Sequence, residues 1–390
     1  MARQVTVLAL DGGGIRGVIP AMVLAEIERR TRARTADLFD LIAGTSTGGI
    51  LALGLVKPAR GGTPQYTALD MLAIYEQEGK RIFDRPLWHQ FVALDNLLEE
   101  KYPADGLEDV LEKYFGGTML SRATTEVLVT AYELQTRQPW FFARYKARDP
   151  ARKGWDFPMK DVARATSAAP TYFEPYKLAR TRPTGGLIDG GVFAENPAMC
   201  AWAEVRKLHP DADDILVVSV GTGQHTRPIR YEDAKTWGLA KWAQPAIMCV
   251  LDGVSDTVDH QMQMLCEDGV DGRPRYYRFQ TELDSAMDDM DNATRTNILA
   301  LKRKGEEIVD GADAKLDSLC GQLVSRRRTR EATAPAPESA RRAVASASVP
   351  RSVLPEDLTA IEDEFDPFFD HDLDPPPARE GDDSIHAGRR

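Results

Sequence analysis

Three glycine-containing segments hold residues whose types and spacing could do acyl-transfer chemistry: Asp11-Gly12-Gly13-Gly14-Ile15-Arg16-Gly17, Gly44-Thr45-Ser46-Thr47-Gly48-Gly49 and Asp189-Gly190-Gly191. Each alone is ambiguous. Together they offer oxyanion donors, a nucleophile and a base, the parts that hydrolysis through a serine requires.

Gly44-Thr45-Ser46-Thr47-Gly48 has the G-x-S-x-G spacing between two apolar runs, Leu38 to Ala43 and Ile50 to Val56. A sharp strand-to-helix turn needs glycine on both sides of the serine, because a Cβ there would meet neighbouring backbone. Such a turn presents the Ser46 hydroxyl above a helix N-terminus, which favours developing negative charge. The plain alternative is a glycine-rich corner with a helix-capping serine.

The first segment also contains Gly12-x-Gly14-x-x-Gly17, the spacing of a dinucleotide-binding loop, after a predicted strand and before a predicted helix. Asp37 or Asp40 lies near the distance expected of a ribose-binding acid. The rival reading uses the same glycines as an oxyanion hole, with Gly13 and Gly14 as the donors. Arg16 then either adds positive potential or pairs with a structural carboxylate. A cofactor loop leaves the serine elbow some thirty residues later unexplained.

Asp189-Gly190-Gly191 follows the short apolar approach Gly186-Leu187-Ile188. Taken alone it reads as an Asx-turn, and only the other two segments make Asp189 a candidate base. A histidine base is the competing arrangement. His225 follows Gly221-Thr222-Gly223 and completes the chain order Ser…Asp…His of one hydrolase class.

The elements that must carry these groups alternate along the chain. Val5 to Leu10, Leu38 to Ala43, Glu126 to Tyr132 and Ile215 to Val220 are short apolar runs suited to strands buried on both faces of a parallel sheet. Ile19 to Arg34 reads as an amphipathic helix with Pro20 in its first turn. The order is that of an α/β fold. Phe141 and Phe142 read as buried strand, and Trp237 and Trp242 as core residues of a helix rather than as seats at a lipid interface.

The domain is expected to cover residues 1–325. Residues 326–390, rich in Ala, Pro and Arg and then acidic, read as a disordered tail. A short interaction element around Phe365, Phe368 and Phe369 could engage a protein partner. The chain carries a net charge of -11, of which residues 351–390 contribute -8, so the acidity belongs to the tail. This charge balance argues against nucleic acid as a partner. Nothing approaches the roughly 20 apolar residues of a membrane-spanning helix, and the N-terminus runs straight into the first strand. Cys200, Cys249, Cys266 and Cys320 show neither paired nor metal-ligand spacing, as expected of free thiols in a reducing compartment.

Taken together, the three segments resemble the patatin-like phospholipase family, matching its D-G-G-G-x-R-G loop, its G-T-S-T-G-G elbow and its D-G-G/A motif. Ala163 to Phe173 is similar to the segment that precedes the family's aspartate. The resemblance covers residues 4 to 225 strongly and the stretch to 320 weakly. It implies a three-layer α/β/α fold with a mainly parallel sheet, and a Ser46-Asp189 dyad without histidine, metal or cofactor. It implies an oxyanion region of Gly12, Gly13, Gly14 and Arg16, with Gly17, Gly44, Gly48, Gly190 and Gly191 as motif glycines. The substrate it implies is a glycerophospholipid, cleaved by a cytoplasmic enzyme peripheral at the inner membrane surface when active. A narrower similarity, in Asp11 to Ala21, Trp237 to Trp242 and Asp252 to Asp256, is to bacterial effectors of this family activated by a cyclic nucleotide in anti-phage defence. A homo-oligomer is compatible with either.

Overall fold

The computed structural model describes residues 3–83, 102–179, 185–225, 228–284, 287 and 289–333. Their elements in chain order are β1 (Arg3–Leu10), α1 (Val18–Thr31), β2 (Leu41–Gly44), α2 (Thr47–Val56), α3 (Ala68–Ile82) and α4 (Asp105–Phe115). There follow β3 (Glu126–Glu133), β4 (Gln138–Ala143), α5 (Met159–Thr166), β5 (Leu187–Asp189), α6 (Ala198–Leu208), β6 (Ala212–Val220) and β7 (Gln224–His225). The last are α7 (Leu239–Leu265), β8 (Tyr276–Phe279), β9 (Glu282–Leu283), α8 (Arg295–Gly311) and α9 (Asp313–Thr333). Short single turns lie between them.

Among the described residues the central sheet runs β4-β3-β2-β1-β6-β8, with β5 also paired to β3. The pairs from β3 across to β8 are parallel, and β4 and β5 are antiparallel to β3. Alternation along β1 divides the core in two. Leu8 and Leu10 face a cluster built with α1, α2, α3 and α8, while Val5, Val7 and Ala9 face α6 and α7 through Ala201, Val205 and Met262. Helices therefore cover both faces, as a mostly parallel sheet requires. This is the three-layer α/β/α arrangement expected from the sequence.

One feature of the sheet decides where the site lies. A strand has two edges, and β4 occupies one edge of β3 from Leu128 to Glu133. Both β2 and β5 must share the other edge. β2 ends with Gly44 opposite Val129, and β5 ends with Asp189 opposite Ala131. The two chain ends thus meet head-on along β3, bringing Asp189 to the end of the strand that leads into Ser46.

Some boundaries depart from expectation. β6 starts at Ala212 rather than Ile215, because the Asp214 carboxylate within it is neutralised by Arg275 and Arg326 at 2.5 and 2.6 Å. Helix α9 runs to Thr333, past the boundary expected at residue 325. Arg326, only 4% exposed, reaches the carbonyls of Val5 and Asp214 as well as the Asp214 carboxylate. Arg330 pairs with Asp40 at 2.5 Å. An Arg-rich composition misleads here, since these side chains close the bottom of the sheet rather than face solvent. The Phe365 to Phe369 segment lies outside the described residues. Phe142 is buried in β4 as expected, whereas Trp242 is exposed and only edge-packed on Trp237, with ring centroids 5.3 Å apart. The four cysteines are free thiols.

Breaking a buried ion pair by removing one partner costs about 3–5 kcal/mol. Arg326→Met should therefore destabilise the fold by about 3 kcal/mol in urea unfolding. A change below about 0.5 kcal/mol, the scatter of surface substitutions, would show that α9 is not part of the folded unit.

Candidate active site

Ser46 sits between β2 and α2 with φ 54° and ψ −124°, a left-handed backbone that a residue with a Cβ rarely adopts. Packing holds it there. A Cβ on Gly48 would fall 2.2 Å from the carbonyl oxygen of Leu10, so the first turn of α2 can lie against the end of β1 only with glycine at this position. The Ser46 amide donates to Thr166 Oγ1 at 2.9 Å. Thr45 Oγ1 lies 2.7 Å from Thr130 Oγ1 and donates to the Ala194 carbonyl at 2.5 Å, tying the elbow to β3 and to the turn after β5.

Asp189, 5% exposed, lines the same cavity as Ser46, whose hydroxyl is near enough to pull its carboxyl down, and accepts the Gly191 amide at 2.8 Å. Burial pushes its carboxyl up to about 7, against the opposing pull of those two donors. A proton acceptor of this strength beside a serine hydroxyl is suited to general-base work near neutral pH. Gly190 lies against Thr130 and Gly44 closes β2.

The glycine loop after β1 forms the opposite wall. Gly14 has φ 60°, and a Cβ there would meet the Met290 carbonyl oxygen at 2.1 Å. Ile15 donates its amide to that same carbonyl at 2.8 Å, and Gly17 ends the turn against Thr47 and Tyr75. Gly13 and Gly14 line the cavity with Ser46 and Asp189, and among the described residues their amides have no acceptor. Amides facing a cavity beside a nucleophile can receive an oxyanion.

Gly12 and Arg16 do not occupy the places expected of them. The Gly12 amide is already donated to the Glu195 carbonyl at 3.1 Å, and its carbonyl accepts the Thr222 hydroxyl. Arg16 is buried and sends Nε to the Gly13 carbonyl at 3.2 Å. It braces the loop from behind and lines a neighbouring polar pocket, together with Asp11 and Glu195. The cavity-lining amides without an acceptor among the described residues are those of Gly13 and Gly14, while the Gly12 amide is taken and Arg16 braces the loop. Asp11 is likewise structural, held by Arg278 of β8 through contacts of 2.9 and 2.6 Å.

The remaining cavity wall is mostly apolar, with Ile50, Phe83, Leu107, Phe173, Ile247 and Leu251 among its lining. Such a lining suits a hydrocarbon chain. The backbone of His225 lies in the small parallel ladder of β7 with β9, whereas Asp189 lines the cavity with Ser46. Asp40, one of the two acids suited to a ribose, accepts from Thr6 and pairs with Arg330.

Sequence reasoning missed Glu195. Its buried carboxyl lines both the Ser46 cavity and the polar pocket behind the loop. One Glu195 oxygen and one Asp189 oxygen lie 2.5 and 3.2 Å from the point that a Gly191 Cβ would occupy. Burial first, then the charges of Asp189 and Asp11, push Glu195 up to about 8. Asp-Gly-Gly-Val-Phe-Ala-Glu carries no signal for this, because the proximity arises only when the turn after β5 folds back under Gly12.

Comparison with known proteins matches the family model for patatin-like phospholipases to residues 8–202. Patatin-like protein 4 of Arabidopsis thaliana is 32% identical over 78% of this chain and 83% of its own length. A potato protein named probable inactive patatin-3-Kuras 1 is 30% identical over 79% of this chain and 87% of its own. Among solved structures, VipD from Legionella pneumophila covers 80% of this chain and 67% of its own at a TM-score of 0.33 and 12% identity, a likeness that supports no detail.

The raised carboxyls of Asp189 and Glu195 have a consequence for stability. Unfolded, such groups titrate at about 4, whereas in the fold they hold their protons up to about 7 and about 8. Between those values the folded state binds more protons than the unfolded state, so stability falls as pH rises through the window. Glu195→Gln should raise the melting temperature by several degrees at about pH 8 and by much less at about pH 5. An equal change at both would contradict a buried ionisable acid at this position.

Proposed function

The chain belongs to the patatin-like phospholipase family, and from that premise we propose that it hydrolyses acyl esters of membrane glycerophospholipids, with Ser46 as nucleophile and Asp189 as its base. Family membership supports lipid acyl hydrolysis in general. The observation that carries the proposal is that Ser46, on its strained turn, and the buried Asp189 carboxyl line one largely apolar cavity.

In the proposed reaction the acyl chain lies along Ile50, Phe83 and Leu107, and its ester carbonyl points to the Gly13 and Gly14 amides. Ser46 Oγ attacks the carbonyl carbon while its proton passes to Asp189. The tetrahedral oxyanion is held by the two amides, and loss of one such donor typically costs about 3 kcal/mol of transition-state stabilisation. The intermediate collapses as the glycerol oxygen leaves with the proton from Asp189, giving a lysophospholipid and an acyl ester on Ser46. Water then gives a proton to Asp189 and attacks the acyl carbon, and Ser46 leaves as the free hydroxyl with that proton. The polar groups behind the loop support this reading over a nucleotide site. Asp11 and Glu195 put two buried acids beneath the Gly12 loop, where a pyrophosphate would have to sit.

A fluorophosphonate probe should label the protein, and Ser46→Ala should abolish labelling without loss of fold. Asp189→Asn should lower turnover by about 10³-fold or more, against at most a few-fold for His225→Ala. The reverse order would restore the histidine triad. kcat/KM should fall about tenfold per pH unit below a midpoint near 7, as the base becomes protonated. Fatty acid release from mixed phospholipid vesicles measures the turnover of each variant and its pH dependence. Run with a panel of cyclic nucleotides, the same assay tests the activator that the narrower resemblance implies.

A further inference from the structure

The first half of α7 breaks a rule that the other helices obey. From Leu239 to Leu251 it contains a single charged residue, Lys241, and a helix that is apolar all round is normally buried. Here one side is not. Leu239, Trp242, Ala246 and Val250, spaced i, i+3, i+7 and i+11, form an exposed stripe, with Leu239 93% accessible. The chain just before α7 adds exposed Ile229 and Tyr231, and Trp237 packs edge-on against Trp242. The inward side of the same turns, through Ile247 and Leu251, walls the Ser46 cavity. The stripe therefore begins one side chain away from the wall of the proposed acyl site.

We propose that this stripe is an interfacial docking surface, which inserts Leu239, Trp242 and Val250 into the outer hydrocarbon of a phospholipid bilayer and sets the mouth of the Ser46 cavity on the lipid. The proposal rests on the phospholipase reading for its choice of a lipid surface over a protein one. Three features fit that occupant. The apolar stripe is continuous with the wall of the cavity, so a docked bilayer adjoins the acyl site. The two tryptophans have the amphipathic rings favoured at membrane interfaces. The exposed flank carries charges of both signs, Arg230, Lys235 and Lys241 beside Glu232 and Asp233, so docking is driven by apolar burial and only weakly by lipid charge. No helix among the described residues is long and apolar enough to cross a membrane.

The test uses full-length Ser46→Ala protein and vesicles of phosphatidylethanolamine and phosphatidylglycerol. Combined Leu239→Glu and Trp242→Glu substitutions should lower vesicle partitioning at least about tenfold, and raised salt should change wild-type partitioning little. Leu299→Glu, at an exposed leucine on α8, should have no effect. In the background with Ser46 intact, the double variant should hydrolyse a monomeric short-chain ester within about twofold of wild type, which separates docking from chemistry. In case the double variant misfolds, brominated acyl chains should quench the tryptophan fluorescence of the Ser46→Ala chain, and Trp242→Phe should remove part of that quenching. Partitioning unchanged by the double substitution overturns the proposal. So does a dimer that the variant converts to monomer while vesicle binding persists, for the stripe would then be covered by a second copy. Vesicle binding through the stripe by a chain inert toward every ester would instead sink the phospholipase reading and leave the docking surface standing.

Discussion

One edge of one strand organises this molecule. β3 gives its inner edge to β2 as far as Val129 and to β5 from Ala131. Two strands running in opposite directions therefore end against each other, and a residue leaving the first is brought next to a residue ending the second. Ser46 and Asp189 are far apart in the chain, and neither carries information about the other. Their meeting follows from sharing a ladder partner, and the groups that stiffen the meeting point belong to it too. Thr130, between the two registers, sits beside Thr45 Oγ1 and fills the space where a Cβ on Gly190 would lie.

That geometry comes at the expense of stability. Asp189, Glu195 and Asp11 are all buried around the Gly12 loop, and only Asp11 has a two-point guanidinium partner, Arg278. Burial disfavours the ionisation of all three, in Asp11 even against the pull of Arg278. In Asp189 this tunes the group toward neutral pH, where a base is useful. In Glu195 it keeps an acid largely protonated beside Asp189. Strain at Ser46 and crowded glycines at positions 14 and 48 are of the same kind, local costs concentrated where the proposed chemistry lies.

Much of this was legible in the residues. Apolar runs fix β1, β2, β3 and β6 to within a few positions, because strands buried on both faces leave no polar alternation to misread. Ser46, Asp189, Gly13 and Gly14 stand out because tight turns and close backbone approach demand glycine beside them. Other parts had no local signal. Whether Gly12 has a free amide depends on Glu195 folding back from the turn after β5, and Arg16 was equally good as an oxyanion partner or as a brace until Gly13 came within its reach. The end of the folded unit has no local signal either, because the Arg-rich stretch reads as solvated and its partners Asp214 and Asp40 lie far away in the chain. Trp242 reads as core by residue type, and only tertiary packing leaves it at the surface.

The central claim is that an acyl group passes through Ser46 under the control of the carboxylate beside it. The most direct measurement is peptide mapping by mass spectrometry of enzyme acid-quenched within its first turnover on a phospholipid. The account predicts a fatty acyl ester on the peptide containing Ser46. It predicts none on the same peptide when Asp189 is replaced by asparagine. An acyl adduct on a different residue would contradict it, as would turnover with no acyl-enzyme and heavy oxygen from water entering the fatty acid in one step.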